Sequence, residues 1–155
     1  MQILLGRYLG GKDTVKAESL INRTLLFSIG SSLIISFLLA STSSFIFPLF
    51  TKDTEVLKLC QKIMWIEVFL EIGRAINITL VRVLQTSGDV IFSTLLAIIF
   101  CWSVAVIGSY IFGVTLKIGI VGVWIAMTLD ELIRAVIFII RLKRGNWKNL
   151  NLVNN

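Results

Sequence analysis

The chain has 155 residues, 56% of them hydrophobic and only 15% charged, with a net charge of +6 and no histidine; its mean hydropathy is +0.90. That is not the composition of a soluble domain, which sits nearer half apolar and a quarter charged. The missing histidine removes His-based acid–base catalysis and most zinc sites, and the basic residues fall where membrane topology puts them, which argues against nucleic acid as a partner.

In chain order, residues 1–23 form a basic lead-in with Gly6, Gly10 and Gly11 ahead of an amphipathic stretch. Asp13 stands where a helix cap is expected, with Val15, Leu20 and Ile21 on one apolar stripe. The opening residues, Met1 to Leu5, are too short for the apolar region of a signal peptide. No charge occurs between Arg23 and Lys52, nor between Asp89 and Lys117. Both gaps exceed the roughly 20 apolar helical residues that cross a bilayer core.

The first span is placed at about 25–47, ended by Pro48; its Ser28, Gly30, Ser32 and Ser36 allow close helix approach in lipid. A polar segment, 51–62, leads to a second span at about 63–85, which carries Glu67, Glu71, Arg74 and Asn77, with Arg82 near its end. A Ser87-Gly88-Asp89 turn precedes a third span at about 90–112. The fourth, at about 118–140, contains Asp130, Glu131 and Arg134. A basic, Asn-rich tail follows, with Arg141, Lys143, Arg144, Lys148, Asn149, Asn151, Asn154 and Asn155. The expected fold class is therefore all-α, a bundle of about four transmembrane helices over residues 1–155.

Arg7, Lys12, Lys16 and Arg23 flank the first span, and the tail is equally basic. The 51–62 segment holds three lysines and the 113–117 loop holds Lys117 alone. The positive-inside rule then places both termini in the cytoplasm. Trp65, Trp124 and Trp147 lie near span ends, where indoles favour the membrane interface; Trp102 lies deeper and reads as packing. Cys60 and Cys101 have no metal or disulfide spacing.

The charges within the spans are the informative feature, since each costs roughly 2.5–3.5 kcal/mol to insert centrally. Glu67, Glu71 and Arg74 follow an i, i+4, i+7 pattern and share one helix face. Asp130 and Glu131 stand four and three residues before Arg134, so either acid can reach the guanidinium. Arg74 and Asp130 fall near the middle of their spans, at matching depth. Four acids against two arginines leave two negative charges, which a cation or protons could neutralise. Glu67, Glu71, Asn77, Asp130 and Glu131 are thus candidates for a cation- or proton-coupling site. Arg74, Arg82 and Arg134 are candidates for structural ion pairs. The competing reading makes all of them helix-to-helix locks. No nucleophile–base pair or metal set points to an enzyme.

Four strings, taken together and in register, resemble the multidrug and toxin extrusion (MATE) transporters. "GRYLGGKDTVKA" is similar to that family's Gly-rich cytoplasmic loop, and "FPLFTKDTEVL" to the segment joining two helices of each half. "LVRVLQTSGDVIFSTL" resembles its Gly-Asp turn, and "GIVGVWIAMTLDELIRAVIFIIRLKRGNW" its last helix and tail; "EVFLEIGRAINI" resembles the bacterial, NorM-like branch. The resemblance implies twelve helices in two lobes, of which this chain supplies helices nine to twelve. It implies exchange of Na⁺ or H⁺ for cationic amphipathic molecules, with no other cofactor. An acid on the tenth helix would help to hold the coupling cation, which by position is Glu67 or Glu71. The implied partners are the lipid bilayer and an N-terminal lobe, or other copies of this chain. The alternative is a small stand-alone membrane protein that oligomerises or acts as a helix-packing scaffold without transport.

Overall fold

A computed structural model describes residues 1–145 and Trp147; Lys148 and the asparagines 149, 151, 154 and 155 of the basic tail lie outside the described residues. The elements are helical: α1 (Gln2–Gly10), α2 (Thr14–Ile46) with a 3₁₀ turn at Phe47–Leu49, and α3 (Thr54–Thr86). Then come α4 (Val90–Phe100), α5 (Ile107–Tyr110) and α6 (Ile120–Lys143). A π-helical stretch, Cys101–Val106, joins α4 to α5 in one continuous rod, and a second, Ile111–Thr115, extends the rod beyond α5.

Asp13 caps α2 as expected, accepting from the Lys16 backbone N–H at 3.2 Å. Asp53 does the same for α3, accepting from the backbone of Glu55 at 2.9 Å and Val56 at 3.4 Å. That cap corrects one expectation. The polar stretch 51–62 is a linker only up to Asp53, because a capped start lets its remaining residues open a 33-residue helix. The lead-in is likewise helical from Gln2, where Leu5 is fully buried and anchors α1 to the core. The turn after α3 is as expected: Gly88 takes φ +90, and the Asp89 N–H returns to the Leu84 carbonyl at 2.8 Å.

Helix α3 is the central element, packed mainly against α6 on one side and α2 on the other. Gly73 sets the α3–α6 spacing, since a Cβ there would meet the Glu131 carbonyl carbon at 2.9 Å. Gly122 lets α6 approach the Phe112 backbone in the same way, with a built Cβ only 2.6 Å from it. The buried cluster Leu5, Ala17, Ile21, Leu80, Val83, Leu84, Phe138 and Trp147 closes the end of the bundle where α1 meets α2 and α3.

Thr14–Leu49 and Val90–Thr115 are long and apolar enough to cross a membrane. Their outward faces are hydrophobic, as with Phe27 at 76% and Phe45 at 81% exposure. Helices α3 and α6 have the length to span as well, with 33 and 24 residues, but carry the charges. Trp102 does not pack inward as expected. It is 67% exposed and lies on the π-helical stretch. Trp147 is 3% exposed, and its indole N–H donates to the Leu142 carbonyl at 3.0 Å, so it belongs to the core rather than to an interfacial belt.

Candidate functional site

The helical face shared by residues 67, 71 and 74 makes one charge cluster. Arg74 Nη1 lies 3.1 Å from Glu67 Oε1 and also donates to Glu71 Oε1, so one guanidinium nitrogen serves both acids. The second oxygen of each carboxylate is taken by a neutral donor from another helix. Ser32 Oγ of α2 donates to Glu71 Oε2 at 2.9 Å. Trp124 Nε1 of α6 donates to Glu67 Oε2 at 2.7 Å. Trp124, read from the sequence by its place near a span end, thus has an acid one helix away as the partner of its N–H. With both acids ionised, the cluster holds two negative charges and one positive. A cavity of about 330 Å³ between α2 and α3 opens on it, lined by both carboxylates, Ser32, Ser36 and Met64 among others.

A second cluster lies one to two turns along α3. Asn77 Nδ2 donates to the Glu131 carbonyl at 2.8 Å and to Glu131 Oε2 at 2.5 Å. Both partners are acceptors, so the side-chain nitrogen must face them. Arg134 Nη2 reaches Asp130 Oδ2 at 2.6 Å and Glu131 Oε1 at 2.8 Å, so the guanidinium takes both acids rather than choosing one. Three buried atoms here have no partner: Asn77 Oδ1, Asp130 Oδ1 and Arg134 Nε. The net charge is again one negative if all groups are ionised. Arg74 and Asp130 do lie on facing turns, since Gly73 touches Glu131.

Arg82 departs from its expected role. It is exposed and joins no ion pair among the described residues. It lines an open cleft with Arg74, Asn77, Glu131 and Arg134. A third ionic contact was not foreseen: Arg141 Nε donates to Asp89 Oδ2 at 2.9 Å. The same guanidinium lies 4.5 Å over the Phe92 ring, tying the start of α4 to the end of α6. Among the described residues, no group of three or more acids or thiols forms a metal-ion cage.

Of the residues that bridge helices here, Ser32 and Trp124 were read as packing and anchoring. One signal pointed to the indole: Trp124 precedes Glu131 by seven residues, two turns along the same face of α6.

The MatE family profile matches residues 1–111. The uncharacterized transporter YisQ of Bacillus subtilis (strain 168) is 30% identical over 146 residues, which is 94% of this chain and 32% of that protein. Multidrug and toxin extrusion protein 2 of Oryctolagus cuniculus is 25% identical over 146 residues, 94% of this chain and 24% of that protein. The chain thus spans about a third or less of the length of these curated relatives. No solved structure matches it.

Proposed function

The chain belongs to the MatE family, and from that premise we propose that it supplies four membrane helices to the C-terminal lobe of a cation-coupled multidrug efflux antiporter. In this reading α2, α3, the α4–α5 rod and α6 all span, with both termini cytoplasmic. The rest of the carrier comes from an N-terminal lobe or from further copies of the chain. The cargo is a cationic amphipathic molecule, exchanged for Na⁺ or H⁺ by alternating access.

One observation carries the reading: Glu67 and Glu71 share a single guanidinium nitrogen while facing a cavity between α2 and α3. An ion pair built only to lock helices would match its charges, since an unpaired charge in a low-dielectric interior is costly. Here one negative charge is left over, and a monovalent cation or a proton removes the cost. Ser32, already donating to Glu71, offers a neutral oxygen to a cation and a rotatable hydroxyl to a protonated acid.

The test is Glu71→Gln in the complete transporter. The expected outcome is loss of gradient-driven drug extrusion with membrane insertion unchanged. Extrusion at the wild-type rate would reduce Glu71 to a packing role and favour the scaffold reading, in which ionic residues only join helices.

A further inference from the structure

Among the described residues, the Trp124–Glu67 hydrogen bond is the one side-chain link from α6 into the cluster that faces the cavity. It differs in kind from the other α3–α6 contacts. Gly73 against Glu131 is steric and does not depend on charge. Asn77 donates to Glu131, whose other oxygen is held by Arg134, so that pairing is closed within the second cluster. The indole N–H has only Glu67 Oε2, and that carboxylate borders the cavity where a cation would arrive.

A hydrogen bond to an ionised carboxylate is roughly twice as strong as one to a neutral acceptor. An indole can donate but not accept, so a protonated Glu67 leaves it only the weaker bond to a neutral carbonyl oxygen. A cation on Oε2 must likewise share the oxygen with the N–H. The bond therefore favours the cation-free, proton-free state of the pair.

We propose that Trp124 is a positioning residue that reads the charge of Glu67, so that neutralising the carboxylate loosens α6 from α3 at this level. The inference rests on the coupling reading above and adds the element through which that site acts. The charged groups facing Glu67 are Glu71 and Arg74 on its own helix. Ser32 reaches the pair from α2, and Asp130, Glu131 and Arg134 of α6 bind one another. The neutral indole is thus the part of α6 that senses the pair.

The experiment uses the native membrane protein in lipid nanodiscs, probed with radioactive sodium and with protons. Trp124→Phe keeps the ring and removes the donor. If the indole competes with the incoming cation, the variant binds sodium or protons roughly tenfold more tightly, the scale of one charge-assisted hydrogen bond. If Trp124 only shapes the site, the variant binds equally or more weakly, and the proposal falls. A second readout guards against a misfolded variant. Tryptophan emission that changes with sodium or pH in wild type, and no longer does so in Glu67→Gln, supports the proposal. Sodium or proton binding to wild type with silent emission overturns it while leaving the coupling reading intact. Binding of neither ion overturns both.

Discussion

Gly73→Ala tests the packing on which the site depends. The added Cβ would lie 2.9 Å from the Glu131 carbonyl carbon and 3.0 Å from the Leu132 nitrogen, where ordinary contact begins at 3.4 Å. Both obstacles are backbone and cannot rotate away, so α3 and α6 must part by about 0.5 Å (3.4 less 2.9). Asn77, one turn further on, would then see its 2.8 Å bond to the Glu131 carbonyl stretch to about 3.3 Å, which weakens it. Overpacking costs about 1–3 kcal/mol, and the weakened bond adds a fraction of its own net worth. The better helix propensity of alanine returns at most about 1 kcal/mol. The expected net loss is about 0.5–3 kcal/mol. Gly30→Ala is the control: nothing lies within 4 Å of its Cβ position, so only the propensity gain applies. Unfolding in mixed micelles of rising SDS content, followed by circular dichroism, compares the two. Equal stability of Gly73→Ala and wild type would refute the close approach and the placement of Asn77 against Glu131.

Three further outcomes are expected. Arg141→Gln leaves Asp89 without its cation and Phe92 without its stacked partner, and should lower stability in the same assay by roughly 1.5–3 kcal/mol, the worth of a hydrogen bond to a charged group; no change would make the contact incidental. Cys101 points outward from the middle of the α4–α5 rod. In a Cys60→Ser background, a water-soluble maleimide should leave it unlabelled in intact membranes and label it after denaturation, whereas labelling of intact membranes would argue against a spanning rod. Finally, the hydrogen bond and charge of Lys16 hold the Asp13 carboxyl below its ordinary 3.8. A depressed value means the cap is fully formed above 3.8 and is lost as pH falls through the lower folded value. Amide exchange over the first turn of α2 should therefore rise on strong acidification, and Asp13→Asn should flatten that dependence.

What was legible in the sequence is what helical geometry fixes locally. The shared face of Glu67, Glu71 and Arg74, the reach of both acids to Arg134, the Asp13 cap and the turn at Asp89 all follow from spacings of seven residues or fewer. What was not legible joins positions far apart in the chain. Nothing in the segment around residue 32 says that Ser32 meets Glu71, and an isolated tryptophan near a span end looks like an interfacial anchor until α6 is laid against α3. The Arg141–Asp89 pair joins a turn to the last helix, again across about fifty residues. Trp102 was read as packing from its depth along the span alone, which does not say which way a side chain faces.

Eleven of the 26 residues between Val90 and Thr115 lie in π-helical turns. An ideal α-helix of that length would extend about 39 Å, well beyond a hydrocarbon core of about 30 Å. Wider turns advance less per residue, so the rod is shorter and stouter than its residue count suggests. Its carbonyls are also held by looser rings than those of α3. Converting a few residues between the two kinds of turn would lengthen or shorten this rod and rotate one end against the other, without unfolding it. In the proposed arrangement of spans, the α4–α5 rod is thus one whose length its residue count alone does not fix.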